Sequence, residues 1–447
     1  SFLNYVEQFL NYLNFCNMKI AITTLGCKVN QADSASIQGA LKEKGYEIVP
    51  TLLDNPDICI VNTCAVTAKS DYQSRQMIRK AAKSGAKVIA TGCYAQLMSD
   101  ELTKIKGVNL ILGNSQKDRL PEYLDKLSQN NDKPLQVVET PAAPLTLKPY
   151  FSNRTRAFLK IQDGCSLSCS YCTVPLARGK NRSLSCQDVL KAVNKFNTDG
   201  YKEIILTGIH IGSYGLDLQP KSDLLEIIHN ISNLYPDMRL RLSSIEPQEF
   251  KEDLLTLIKE GMICPHLHIP LQSGSDNILK TMNRGYSVSF YKKLIEDIIS
   301  ICPDISIGTD IIVGFPGEED KEFEHTVRLI EELPFSYIHM FPYSKRPDTK
   351  AARLPHQVKN SAKKERSKII LDIAINKKNI YISKQLGKKL DVIVEKKDIT
   401  TGFYRTISDN YLRPLVHANN LILGQRLKIE AISLVNGELF GVPLQLR

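Results

Sequence analysis

The sequence predicts an α/β protein in three parts: an N-terminal parallel-sheet α/β domain, a central partial (β/α)6 barrel and a small C-terminal β-barrel. Three observations predict it. Short apolar runs alternate with helical stretches from Lys19 to about Val138, the rhythm of strands joined by helices. The same alternation restarts near Thr155 and supplies six more strand candidates. After a Lys-rich helical stretch, the residues from Lys389 onward break into short alternating runs separated by turns.

In the first part the strand candidates are MKIAITTLG, DICIVNT, AKVIATG and VNLILGN, with SASIQGALKEKG and SDYQSRQMIRKAAKSG between them as helices. Asn130 to Pro149, punctuated by four prolines, reads as a linker. In the second part FLKIQDG, EIILTGIH, RLRLSSIE, HLHIPLQ, ISIGTDIIVGF and YIHMFPYS alternate with helices such as DLLEIIHNISNL, two repeats short of a closed eight-stranded barrel. A long helix is expected over roughly Lys359 to Lys384. KKLDVIVEKK, TGFYRTISD, YLRPLVHA, QRLKIEAISLV and GELFGVPL then form the small barrel, an architecture widely used for RNA. Phe403, Tyr404 and Tyr411 would either stack bases or fill its core. The expected boundaries are 1–17 for a peripheral extension, 18–138, 150–380 and 383–447.

A chain of 447 residues exceeds one comfortable core, which agrees with several domains. Hydrophobic content of 43% and charged content of 24% exclude long disorder, and no run is apolar enough to span a bilayer. Residues 1–17 lack the basic start, apolar middle and small-residue cleavage site of a secretory signal. Eleven cysteines without an export signal argue for free thiols in a reducing, cytoplasmic compartment rather than for a disulfide framework. The formal charge of +10 is localised: residues 351–447 carry 18 Lys and Arg against 8 Asp and Glu, so the rest is neutral. A basic terminal module on a neutral body points to a polyanion, usually nucleic acid, or to no more than a solvated helix surface.

Two cysteine constellations carry chemistry. Cys165, Cys169 and Cys172 lie in a loop after a strand, and C-x3-C-x2-C brings three thiolates to one 4Fe-4S cube with the fourth iron left open. That iron can bind the amino and carboxylate groups of S-adenosylmethionine and pass an electron to its sulfonium. A zinc loop would need a fourth ligand, for which only Cys186, at a helix start, is near. Cys27, Cys64 and Cys93 each follow a strand of the first domain, and strand ends of one parallel sheet face one crevice. The three should converge into a second three-thiol cluster site, although each alone reads as a buried structural thiol. Asn30 and Asp33 read as a cap for the helix that follows, and His210, His266 and His268 as hydrogen-bonded barrel residues rather than ligands.

TLGCKVNQADS, VNTCAVT, TGCYAQ, GCSLSCSYCTVPLARGKNRS, TGIHIGSYG, SSIEP, HIPLQSGSD, TDIIVGFPGE and FPYSKRPDT, in this order, resemble the methylthiotransferase family of radical S-adenosylmethionine enzymes over nearly everything after Met18. The resemblance implies a methylthiotransferase domain, a radical core and an RNA-binding barrel called TRAM. Of the family's three branches, LGCKVNQADS and PLARGKNRS look like the one acting on threonylcarbamoyl-adenosine beside the tRNA anticodon. The isopentenyl-adenosine branch, the ribosomal-protein aspartate branch and a non-catalytic iron-sulfur RNA-binding protein are the alternatives.

The implied reaction replaces a hydrogen at the adenine 2-position by a methylthio group. One S-adenosylmethionine yields a 5'-deoxyadenosyl radical at the Cys165, Cys169, Cys172 cluster, and a second methylates sulfur held at Cys27, Cys64 and Cys93. The resemblance also places Tyr171 near the cofactor adenine and Thr207 and Gly208 against its amino group. Ser243, Gln272 and Asp310, at or near the ends of three barrel strands, become further cofactor contacts. Arg178 and Arg182 would meet substrate phosphate or the threonylcarbamoyl carboxylates. The expected partners are a tRNA anticodon stem-loop and an electron donor such as flavodoxin or ferredoxin, with the protein a monomer and no membrane involved.

Overall fold

A computed structural model describes residues 18–124, 127, 134–141, 145 and 154–444. The extension 1–17, with Cys16, lies outside the described residues. The chain divides into two compact units. The first comprises the described part of 1–152 together with Phe158–Ser168 and Cys172–Lys195; the second comprises Asn153–Ala157, Cys169–Tyr171 and Phe196–Arg447.

The first unit is built on a six-stranded parallel sheet of β1 (Lys19–Thr24), β2 (Glu47–Val49), β3 (Ile58–Thr63), β4 (Lys87–Gly92), β5 (Val108–Leu112) and β6 (Leu135–Val137), in the order β2-β1-β3-β4-β5-β6. Helices cover both faces, as continuous apolar strands such as ICIVNT require: every residue of β3 is buried. One face packs Ile20, Ile60, Ile89 and Leu110 with Ile37 and Leu41 of the helix Lys28–Glu43. The other packs Val61, Val88 and Ala90 with Ile78 and Ala81 of the helix Ala68–Lys83. The strands β2 and β6 were not expected, and β6 falls in the stretch read as linker. Each has three residues, too short for a period to register, and each is an edge strand. The unit also contains most of β7 (Ala157–Lys160) and a two-residue antiparallel ladder of β8 (Gln162–Asp163) and β9 (Arg182–Ser183).

In the second unit β10 (Glu203–Thr207) pairs with β11 (Arg239–Leu242) in parallel. The bridge Leu240↔Ile263 leads toward β12 (His266–His268), which pairs with β13 (Ser306–Val313), and β13 pairs with β14 (Tyr337–Pro342). Every link is parallel and every crossover carries a helix, the arc of an incomplete (β/α) barrel. The helix Asn360–Ser383 follows as expected.

A closed five-stranded barrel then forms from β15 (Lys389–Lys397), β16 (Tyr404–Ser408), β17 (Leu415–Val416), β18 (Arg426–Val435) and β19 (Glu438–Pro443), around Val392, Val416, Ile429 and Ala431. Buried charge binds it to the base of the arc. Glu203, fully buried, accepts from Arg156 (3.1 Å), Arg239 (2.5 Å) and Arg241 (3.0 Å). Arg239 also donates to the carbonyls of Asp391 and Ile407, and Arg241 to those of Ser408 and Asp409. Of the aromatics left open between base stacking and packing, Tyr404 is buried, and Tyr411, half-buried, stacks on His266 at 4.3 Å. Phe403 makes edge contacts with His417 and Phe440. Among the described residues no helix is long and apolar enough to cross a membrane.

Candidate cluster sites

The sheet brings Cys27, Cys64 and Cys93 to one edge. Cys27 caps the helix after β1, Cys64 directly follows β3, and Cys93 opens the helix Cys93–Leu97 directly after β4. The strands β1, β3 and β4 are adjacent and parallel, with Thr63 level with Gly92. Two glycines make this approach possible. At Gly26 (φ +99°) a Cβ would stand 2.9 Å from both Cβ and Sγ of Cys64, and at Gly92 (φ +97°) 2.3 Å from the Thr63 carbonyl oxygen.

The three thiols feel one another. Burial pushes the Cys64 thiol up, and the neighbouring Cys93 and Cys27 push it further. Burial likewise raises Cys27, whose sulfur is crowded although the residue keeps an exposed edge; Arg178 opposes the rise and Cys93 adds to it. The Cys64 backbone is clamped by Ser74, whose Oγ accepts from its N–H (3.3 Å) and donates to its carbonyl (3.1 Å). Three soft sulfur donors at one edge, none in a disulfide, fit an iron-sulfur group.

Asn30 and Asp33 do not cap the helix: Cys27 starts it, so both lie in its first turns and face inward. Asn30 Nδ2 donates to the carbonyls of Leu25 (2.7 Å) and Thr63 (3.0 Å), tying together the loops that carry Cys27 and Cys64. Asp33 receives Lys117 (2.8 Å), Lys160 (2.5 Å) and Arg178 (3.1 Å). Burial alone would raise its carboxyl, but these three cations hold it well below its ordinary value. Arg178, expected to meet substrate, is 1% exposed and donates to Asp163 (2.8 Å), Asn30 (2.6 Å) and Asp33. Arg182 is half-buried, 3.6 Å from Asp163. Burial would also raise Asp163, but Arg178 and Lys160 hold it down at about 2.

The three cysteines of the second motif are anchored individually. The Cys165 N–H donates to the Gly179 carbonyl (3.0 Å), and Cys172 Sγ accepts from the Val174 N–H (3.4 Å). Cys169 Sγ accepts from Arg284 (3.3 Å), which also pairs with Glu246. Tyr171 packs edge-on against Phe315 at 6.4 Å.

At the carboxyl ends of the arc, Thr207 closes β10 with Gly208 after it, and Ser243 follows β11. The Ser243 hydroxyl is buried with no partner among the described residues, as a ligand contact would leave it. Gln272 stands in the left-handed region (φ +69°) and exchanges backbone hydrogen bonds with Asp310 and Ile312. Asp310 is not at a strand end but inside the eight-residue β13, 3.0 Å from His268 and 3.3 Å from His339. Burial would raise its carboxyl, but the two imidazoles hold it well below its ordinary value. Tyr337 joins His268 (3.0 Å) to His266 (2.8 Å), so both histidines are hydrogen-bonded barrel residues, and His210 pairs with Glu249.

Sequence reasoning passed over Lys117, Lys160, Asp163, Glu203, Arg284 and His339. Only the Arg239 and Arg241 pair in an otherwise leucine strand, RLRL, carried a signal, since cations facing a strand core need a buried anion.

Residues 159–330 match the Radical SAM superfamily, and residues 19–113 match the uncharacterized protein family UPF0004. The fold agrees. The radical S-adenosylmethionine methyltransferase TsrM from Kitasatospora setae superimposes with TM-score 0.55 at 15% identity, covering 75% of this chain and 77% of that one. The parallel arc and the cysteine loop thus define a radical S-adenosylmethionine enzyme. The chain is 37% identical over 402 residues to the threonylcarbamoyladenosine tRNA methylthiotransferase MtaB of Aquifex aeolicus (strain VF5), covering 88% of this chain and 96% of that protein. It is 37% identical to the protein of the same name from Thermotoga maritima, covering 86% and 89%. It is 32% identical to the tRNA-2-methylthio-N(6)-dimethylallyladenosine synthase of Fusobacterium nucleatum, covering 95% and 99%. The chain belongs to the methylthiotransferase family of radical S-adenosylmethionine enzymes.

Proposed function

We propose that this enzyme converts threonylcarbamoyl-adenosine next to the tRNA anticodon to its 2-methylthio derivative, using two S-adenosylmethionine molecules and two 4Fe-4S clusters. The observation that carries the two-cluster reading is the meeting of Cys27, Cys64 and Cys93 at the carboxyl edge of three adjacent strands, in a chain that also holds C-x3-C-x2-C. The threonylcarbamoyl branch is favoured by the 37% identity to relatives named for it, against 32% for one named for dimethylallyl-adenosine, which makes that branch the second reading.

In this proposal Cys165, Cys169 and Cys172 hold the radical cluster, with Arg284 donating to Cys169. The bound clusters supply an electron for cleaving the cofactor and a site for the sulfur to be transferred. Thr207, Gly208, Ser243, Gln272 and Asp310 would orient the cofactor, and Tyr171 would lie by its adenine. Arg182 is the remaining candidate for substrate phosphate or carboxylate. The C-terminal barrel, reached through a helix rich in Lys, would hold the anticodon stem-loop. A flavodoxin or ferredoxin would deliver electrons, and the protein would act as a monomer in the cytoplasm.

Anaerobic reconstitution tests this. About eight irons per chain are expected, falling to about four when either cysteine trio is replaced by Ala, and reductive formation of 5'-deoxyadenosine should vanish only without Cys165, Cys169 and Cys172. Four irons in the intact protein would remove the second cluster. Nucleoside mass spectrometry of tRNA from a deletion strain decides the branch, since loss of the methylthio dimethylallyl form alone would overturn the substrate.

A further inference from the structure

The buried network around Arg178 holds more positive than negative charge. Among the described residues Lys117, Lys160 and Arg178 meet two carboxylates, Asp33 and Asp163. Both carboxylates, Lys117 and Arg178 have side chains at most 4% exposed, and that of Lys160 is 8% exposed, so water does little to offset the excess. Asp118 acts on Lys160 only from the exposed surface. Cys93 and Cys27 are near enough to act on Arg178, and Cys93 on Lys117. The Arg178 Nε–H, fully buried, has no acceptor among the described residues.

The same guanidinium is a mechanical link. One arm binds Asp163, two residues before Cys165, and Arg178 itself precedes Gly179, whose carbonyl accepts from the Cys165 N–H. The other arm binds Asn30, which holds the carbonyls of Leu25 and Thr63 beside Cys27 and Cys64.

We propose that Arg178, through Asn30 and Asp33, is a positioning residue that ties the Cys27, Cys64, Cys93 site to the stem of the Cys165 loop, and that with Lys117 it supplies the buried positive charge a thiolate-bound cluster requires there. The inference rests on the two-cluster reading and adds to it a role for residues that touch neither cofactor nor substrate.

Charge makes a prediction of opposite sign for the protein without and with its cluster. Lys117→Met removes one cation from a cation-rich network and leaves Asp33 paired with Lys160 and Arg178. The apoprotein should therefore melt no lower than its parent. The loaded cluster loses compensation for the electron it accepts and becomes harder to reduce.

The experiment uses full-length protein carrying Cys165→Ala, Cys169→Ala and Cys172→Ala, so that only the auxiliary cluster assembles, followed by EPR during redox titration. At the potential where half of the parent's cluster is reduced, only about one tenth of the Lys117→Met cluster should be reduced, a shift of about 59 mV for one electron. Arg178→Lys keeps the charge but loses the fork to Asp163 and Asn30. It should leave the potential near the parent's while altering the EPR line shape or the iron retained under a chelator. An unchanged potential in Lys117→Met at full iron content would overturn the charge role, and an unchanged line shape and iron retention in Arg178→Lys would overturn the positioning role. If the triple-Ala parent takes up no iron, it is the two-cluster reading that fails.

Discussion

Glu203→Gln keeps the shape of a side chain while removing the one negative charge that three arginines share. In the native protein both carboxylate oxygens are occupied, with Arg156 and Arg241 on one and Arg239 and Arg241 on the other. The amide retains one acceptor and turns an NH2 toward guanidiniums that are 11% exposed at most. Removing one partner of a buried ion pair costs about 3–5 kcal/mol, because the other charge stays buried. For a domain of this size each kcal/mol lowers the melting temperature by about 2–4 °C, so a fall of about 10 °C is expected by calorimetry. Because Arg239 and Arg241 also hold backbone carbonyls of β15 and β16, amide exchange should accelerate over Lys389–Ser408 before the parallel arc responds. The deficit also has a pH signature. Burial would raise the Glu203 carboxyl, but Arg241, Arg239 and Arg156 hold it well below its ordinary value, so its stabilisation is fully present above about pH 4.3 and is lost progressively as pH falls from there toward the much lower folded value. The variant and parent should converge in acid. A deficit below about 1 kcal/mol at pH 7, or one that does not shrink in acid, would refute the claim that this charge holds the barrel in place.

Three further outcomes follow from local geometry. Gly26→Ala puts a Cβ 2.9 Å from the Cys64 sulfur at a φ of +99°, so reconstituted iron should fall from about eight to about four per chain while 5'-deoxyadenosine formation persists; full iron loading would contradict it. Burial pushes the Glu318 carboxyl up to about 7 despite Arg366 at 3.0 Å. The folded state therefore binds this proton more tightly, and its contribution of up to about 3 kcal/mol is present below about pH 4.3 and lost as pH rises to about 7; Glu318→Gln should flatten the melting temperature across that window. Tyr337→Phe removes the hydroxyl shared by His266 and His268, and chemical denaturation should register a loss of about 1–3 kcal/mol, whereas His339→Ala, at an exposed position, should cost far less.

What was legible in the sequence follows from how far each feature depends on neighbours in the chain. Strands long enough to show an apolar run, from KIAITT to YIHMFP, appear where the pattern puts them; the three-residue β2 and β6 could not, because pairing at a sheet edge and not composition makes them strands. The meeting of Cys27, Cys64 and Cys93 was legible because parallel strands fix which ends share a crevice. The burial of Arg178 was not. An arginine soon after a cluster loop reads as a surface contact, and its partners Asn30 and Asp33 come from an element 145–148 residues away, where Lys117, from a turn after β5, also meets Asp33. The capping role expected of Asn30 failed for a related reason: Cys27 already occupies the cap, which turns Asn30 inward to serve two loops.

The two cysteine sites therefore differ in what assembles them. Cys165, Cys169 and Cys172 fall within eight residues, and the chain itself keeps them near one another even when tertiary structure loosens. Cys27, Cys64 and Cys93 span 67 positions and meet only while β1, β3 and β4 stay paired, with Asn30 bridging two of their loops. Any loss of sheet stability is then transmitted to the second site first. An Arg178 side chain that holds Asn30 with one arm and the stem of the other loop with the second reverses that asymmetry. It stakes the dispersed site on a residue whose own position is fixed beside the Cys165 loop, so a single buried guanidinium fork joins the one to the stem of the other.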